Sequence, residues 1–310
     1  MTETSRTARA LPVLFGLGGV WGASFLFIKV IVDETGPLEL VAGRLFFGAL
    51  AVGLFVLYRR VPVPVQPGLI VGAAVLALVG NVLPFALIAW GEEHIDSGTA
   101  SVLNSTVPVF TAVFAAALLE EEHFTAARLG GLVLAMSGIL VLTGDDVLHI
   151  TDANVLGQMA VIAAAACYGI AAVLARTLLK SQDPVGLSIL QLCMGTLLVI
   201  PILFVISGTP DYSLSLEAAL SLVALGVFGT GFAYIVYLWL IETIGSVRAS
   251  LVTYIVPVMG LLLGWLVLDE SVGLNTVLGA MLIVVGVGSV MRGQAPVRRS
   301  PPAVSPVAAE

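Results

Sequence analysis

The sequence predicts an all-α integral membrane protein of ten transmembrane helices, arranged as two inverted five-helix repeats. Three observations predict it. Of 310 residues, 59% are hydrophobic and 11% charged, with a mean hydropathy of +1.08, more apolar surface than a water-soluble core can hide. The apolar residues gather into ten runs, each close to the ~20 residues a helix needs to cross a hydrocarbon layer about 30 Å thick. Finally, the chain repeats itself: "ASVLNSTVPV" from Ala100 is echoed by "ASLVTYIVPV" from Ala249.

The predicted helices span 11–32, 38–58, 68–90, 96–119, 126–143, 155–179, 185–207, 215–240, 246–268 and 274–291. Short charged or Pro/Gly-rich breaks separate them, among them "DETG", "RRVPVPVQPG", "GEEHID", "EEEHF" and "DESVG", and none holds a soluble domain. The first run is too long for a signal-peptide core, carries Trp21 and Lys29, and lacks an A-x-A-like site before Asp33, so it reads as a retained helix. The domain plan is an N-terminal tail over 1–10, a first repeat over 11–143, a connecting loop over 144–154, a second repeat over 155–291 and a disordered tail over 292–310, rich in Pro, Ala and Arg. Cys167 and Cys193 lie inside apolar runs, where a thiol behaves as a small hydrophobe.

Orientation follows from the cations. With a cytoplasmic N-terminus, eleven of the thirteen Lys and Arg residues fall at the cytoplasmic side, including Arg59, Arg60, Lys180 and Arg248. Only Lys29 and Arg44 fall toward the other side, whose loops carry Asp33, Glu34, Glu92, Glu93, Asp96, Asp211, Asp269 and Glu270. This positive-inside asymmetry predicts a multi-pass plasma (inner) membrane protein with both termini in the cytoplasm.

Sliding the chain by 149 positions aligns 80–130 with 229–279 without a gap, matching Trp90 with Trp239, Glu93 with Glu242 and Pro108 with Pro257. An offset of 147 pairs Trp21 and Gly22 with Tyr168 and Gly169, and Gly48 with Gly195. Identities of Leu, Val, Ala and Gly come cheaply in an apolar chain. Those of Trp, Pro, Glu and Ser in a long register do not. Because five is odd, the second copy enters the bilayer from the opposite side, the architecture that lets a site near the midplane open alternately to each side.

With its ten helices in two repeats, the early "WGASFLFIK" and the paired segments "ASVLNSTVPVFTAVFAAALLEEE" and "ASLVTYIVPVMGLLLGWLVLDES", the chain resembles the EamA family of the drug/metabolite transporter superfamily. The resemblance covers 11–291. It implies a permease, commonly an exporter of amino acids or other small metabolites, with a central cavity lined mainly by helices 1, 3, 4, 6, 8 and 9.

Helical spacing sorts polar residues onto faces. Ser97, Ser101, Asn104, Pro108 and Thr111 form a stripe on helix 4; Ser250, Thr253, Tyr254 and Pro257 do so on helix 9. Helix 8 presents Thr230, Tyr234 and Tyr237, helix 3 Asn81 and Phe85, helix 1 Trp21 and Ser24, and helix 6 Tyr168. Small polar residues also glue membrane helices together, a reading that weighs equally for Ser97, Ser101 and Ser250. Asn81 and Asn104 are costlier to bury in hydrocarbon and point to a wet cavity. The cavity candidates are therefore Trp21, Ser24, Asn81, Asn104, Tyr168, Thr230, Tyr234, Thr253 and Tyr254, with Pro108 and Pro257 as hinges, because a mid-helix proline frees an upstream carbonyl. Trp90 and Trp239 read as interfacial belt residues.

Lys29 and Arg44 are expected to snorkel outward or to pair with Asp33 and Glu39. No carboxylate sits clearly at mid-membrane, so coupling through a central acid is not supported, although proton coupling stays open. Glu120, Glu121, Asp269 and Glu270 read as solvated helix ends. His94, His123 and His149 fall in loops without an HExxH motif, and no Walker A sequence occurs, which argues against an enzyme or an ATP-driven motor. No metal or cofactor is expected. The expected partners are a small-molecule substrate and the lipid bilayer, not nucleic acid. An accessory membrane subunit is the alternative, and it leaves the inverted duplication unexplained.

Overall fold

The computed structural model describes residues 3–118, 126–144, 152–178, 182–244 and 252–292. Ten helices cross it in the predicted order. In the first half, α1 covers Glu3–Val32, α2 Pro37–Arg59, α3 Pro67–Glu92, α4 Ser97–Leu118 and α5 Ala126–Thr143. In the second, α6 covers Ala153–Leu178, α7 Pro184–Ile206, α8 216–244, α9 Val252–Val267 and α10 Leu274–Arg292. Seven of these are long and apolar enough to cross a membrane, and shorter apolar helices lie in α5, α9 and α10. Residues 1–2, 119–125, 145–151, 179–181 and 245–251 and the tail from 293 lie outside the described residues, and with them Glu120, Glu121, His123, His149, Lys180, Arg248, Ser250 and most of the connecting loop.

The starts and stops are locally encoded. Pro37, Pro67 and Pro184 open α2, α3 and α7 at the first helical position, where the missing N–H is no loss. Asp183 caps α7 by accepting from Gly186 N at 2.9 Å, and Ser215 caps α8 through Ala218 N at 3.2 Å. α2 ends where Arg60 turns left-handed (φ 52°), just before Pro62. α1 begins at Glu3, upstream of the apolar run, because the Ala- and Arg-containing lead-in continues the helix.

Three rods depart from the simple α-helices that the hydropathy predicts. α3 holds a π-helical turn at Leu78–Val82 and α8 a longer one at Leu225–Phe232. Shifted by 149, these turns coincide, so they belong to the repeat. α4 is interrupted at Ser105 and Thr106, with regular helix resuming at Val107, one residue before Pro108. Pro108 has no N–H to donate back across the break. By contrast α9 runs continuously through Pro257 from Val252 onward.

Packing repeats across the halves. α1 lies on α9 and α6 on α4; α2 packs on α7 and on the π turn of α8; α5 and α10 pair with each other. Glycines set the closest crossings. A Cβ on Gly22 of α1 would lie 2.5 Å from Met259 Cβ of α9, and a Cβ on Gly169 of α6 would lie 2.9 Å from Phe110 Cβ of α4. Gly22 and Gly169 correspond at offset 147, and Phe110 and Met259 at offset 149. The same crossing is thus built twice. The outer surface is apolar, with Leu57, Val133, Phe204, Leu216 and Trp265 all exposed, as helices facing lipid tails require.

Candidate functional site

Near the middle of the helices, between the two halves, is a cavity of about 330 Å³. Trp21 and Ser24 of α1, Tyr168 of α6, Asn104 of α4 and Tyr234 of α8 line it. Five of the sequence candidates thus meet at one place. Asn81 and Thr230 are fully buried just behind the wall, in the two π turns. A π turn re-aims side chains that a regular helix would send elsewhere, and here it turns these two toward neighbouring helices. Thr253 and Tyr254 lie in α9, but their side chains lie outside the described residues.

Aromatic contacts give the cavity its shape. Trp21 meets Tyr237 with ring centroids 5.3 Å apart, and Phe85 meets Tyr168 edge-on at 6.4 Å. Edge-to-face and tilted pairs at such distances hold rings in fixed orientations. Ser24 donates to its own helix at Val20 O, 3.0 Å away, so its hydroxyl hydrogen is already used. Asn104 is different: its Oδ1 is buried and has no hydrogen-bond partner.

At the cavity, polar contacts cross between the halves. Gln191 of α7 donates to Asn81 Oδ1 at 2.5 Å, and Asn81 Nδ2 in turn donates to Tyr234 Oη at 3.1 Å. Arg44 of α2 donates from Nε to Thr230 Oγ1 at 2.8 Å, and its guanidinium carbon sits 3.7 Å from the centre of the Phe85 ring. Both Arg44 and Gln191 line the cavity, and neither was singled out for it by the polar stripes. The signal was present in the alignment of the halves: offset 147 carries Arg44 onto Gln191, and offset 149 carries Asn81 onto Thr230.

Arg44 does not snorkel. It is 6% exposed and turned into the protein, and no ion pair joins it to Glu39 among the described residues. Inside, it finds the Thr230 hydroxyl and the Phe85 ring. Lys29 does not pair with Asp33 either; its ammonium donates to the Glu92 carbonyl at 2.5 Å and to the Ile95 carbonyl at 3.4 Å, closing the C-terminal end of α3. Glu270, expected as a solvated end, accepts from Ser97 N at 2.7 Å and Gly98 N at 3.0 Å and so caps α4. Glu92 lies in the last turn of α3, fully buried, with both carboxylate oxygens unpartnered. α1, α3, α4 and the α9–α10 connection are therefore tied together at the acid-rich end. Outside the spans, burial pushes the Glu93 and Asp96 carboxyls upward from their ordinary values.

Trp90 and Trp239 are exposed near the ends of α3 and α8, at 37% and 41%, on faces where a membrane interface belt would form. Cys167 and Cys193 are free, half-buried thiols.

Residues 9–144 and 155–292 each match the model of the EamA-like transporter family. An uncharacterized transporter, YoaV, of Bacillus subtilis (strain 168) is 30% identical over 268 residues, covering 86% of this chain and 91% of its own. A protein of Streptantibioticus cattleyicolor named as a probable terminal-alkyne amino-acid exporter is 26% identical over 273 residues, covering 86% of this chain and 88% of its own. A solved crystal structure at 20% identity superposes with a TM-score of 0.65 over 91% of this chain and 97% of that one, a likeness of fold.

Proposed function

This chain belongs to the EamA-like transporter family, and on that premise we propose that it is a secondary permease exporting amino acids or related small metabolites by alternating access. It is a multi-pass membrane transporter, not an enzyme, and its two halves are duplicated. What supports export by alternating access is the cavity itself, lined by equivalent residues of both repeats, Trp21 facing the second half and Tyr168 the first. Equivalent walls let each half adopt the conformation of the other, which moves the opening from one side to the other. The similarity to a protein named as an amino-acid exporter lends the substrate class and the direction.

In this reading the acid-rich end faces outward, the termini lie in the cytoplasm, and the membrane is the plasma membrane. The halves rock about Pro108 and Pro257. The test is efflux from proteoliposomes preloaded with a pool of labelled amino acids and related metabolites, with and without an imposed pH gradient. Selective efflux by the purified chain is the expected outcome, slowed several-fold by Pro108→Ala or Pro257→Ala. Wild-type rates in both variants would remove the hinge, and no movement of any solute would leave an accessory subunit.

A further inference from the structure

Resting on the permease reading, we infer that the Arg44 guanidinium is the anchor for a carboxylate on the transported molecule, so that the cavity selects small organic acids and amino acids over their amides and amines. Among the described residues, Arg44 is the one charged side chain that lines the cavity; no Asp, Glu, Lys or His joins it there. The buried Glu92 carboxylate lies within electrostatic range of Arg44 but forms no ion pair with it among the described residues, and a buried cation without a direct counter-ion is costly. The missing partner is an anion, and the space beside Arg44 is where a ligand sits.

The side chain is presented for that purpose. Its Nε is held by Thr230, whose hydroxyl is fixed in turn by Leu225 O at 3.3 Å, and its plane lies against the Phe85 ring. These two contacts restrain the guanidinium while using one of its five N–H groups. The remaining donors form a planar fork matched to the two oxygens of a carboxylate, and binding then costs little further ordering. Asn104 Oδ1, buried without a partner on the same cavity, is an acceptor suited to an ammonium group on an amino acid. The apolar walls, with Trp21, Phe85 and Tyr168, suit the body of such a molecule better than a polyanion.

The repeat supplies an independent argument. Gln191, which stands where Arg44 stands in the other half, makes the equivalent reach to a π turn with a neutral amide. The fold therefore builds this contact without a charge. The charge at position 44 has a different origin from the packing around it.

The test uses the full chain in nanodiscs and isothermal titration of three probes with one body: 3-phenylpropanoate, 3-phenylpropanamide and 3-phenylpropylamine. The carboxylate is expected to bind about tenfold or more tightly than the other two. Arg44→Lys keeps the charge and loses the fork, weakening the carboxylate several-fold; Arg44→Met reduces it to the level of the amide. Thr230→Val releases Nε without touching the charge and gives a partial loss, which serves if position 44 tolerates no change. Equal affinity for amide and carboxylate, no binding by any probe, or undiminished discrimination in both Arg44→Met and Thr230→Val overturns the anchor. The permease reading fails separately: a carboxylate that binds through Arg44 while wild-type proteoliposomes move no solute removes transport and leaves the anchor, whereas equal efflux of amide and carboxylate does the reverse.

Discussion

Arg44 and Gln191 occupy equivalent points of α2 and α7, and each reaches to a polar residue in a π turn of the opposite half, Thr230 and Asn81 respectively. Beside them Phe85 and Tyr234 also correspond, the first lying under the guanidinium and the second accepting from Asn81. Position by position the frame is shared, and residue by residue the chemistry is not. One half contributes a cation on an apolar ring; the other contributes a neutral amide chain ending in a phenol. Geometry kept through duplication is what the two halves need in common to exchange conformations. Chemistry that differs serves something without twofold symmetry, and a small molecule with unlike ends is such a thing.

The largest effects should come from breaking what is shared. Gly22→Val and Gly169→Val each push a branched side chain into a partner helix, where even a Cβ would lie 2.5 Å from Met259 and 2.9 Å from Phe110. Each crossing joins helices through backbone proximity, so the backbones must separate, at a cost of ~1–3 kcal/mol or more apiece. Both variants should lose most of their monodisperse protein on size-exclusion chromatography. A normal profile for one and a collapsed profile for the other would show that the two crossings are not equivalent.

A smaller effect should come from the half without the charge. Asn81→Leu leaves the Gln191 amide and the Tyr234 hydroxyl without their partner, a loss of ~1–3 kcal/mol, seen as a lower Tm in detergent. Removing both ends of a buried hydrogen bond is milder than removing one. Adding Gln191→Leu should therefore recover part of the Tm. If the double variant falls by the sum of the single losses, the Gln191–Asn81 contact carries no coupling, and its likeness to Arg44–Thr230 is one of position only.

How much of this was legible in the sequence depends on which physical signal each feature leaves. The number of helices and their duplication were legible because apolar run length and the spacing of Trp and Pro are set by the bilayer and the repeat. Trp21, Tyr168 and Tyr234 were placed by matching depth in equivalent helices. The π turns left no periodic signature: one added residue in a turn shifts a face without changing composition. The inward direction of Arg44 was hidden for another reason. A lone cation near the end of an apolar run satisfies the snorkelling pattern, and what holds it inside is Thr230, 186 positions away. Glu92 reads as a loop residue in "GEEHID", yet the last turn of α3 carries it, and its carbonyl accepts from the Lys29 ammonium.

The smallest effect tests the comparison at two equivalent helix starts, which the inverted repeat places at opposite ends of the bundle. Ser215 starts α8 with a side-chain cap, while Gln66, its counterpart at offset 149, starts α3 without one. The Ser215 cap is itself braced: Glu34 accepts from Ser215 N and from Ser215 Oγ, both at 2.6 Å. Those hydrogen bonds, the one from the Ser215 side chain first, hold the Glu34 carboxyl below its ordinary value of 4.5. A lowered acid contributes stability that is fully present above its ordinary value and is lost as pH falls through the lowered one. Glu34→Gln should therefore lower the Tm slightly at neutral pH, with a gap to wild type that closes as the pH falls below 4.5. Because Glu34 is exposed to water, the gap should be small. A gap that persists unchanged in acid would mean that the carboxylate is not what braces α8, and that the capped and uncapped starts differ only in their own serine and glutamine.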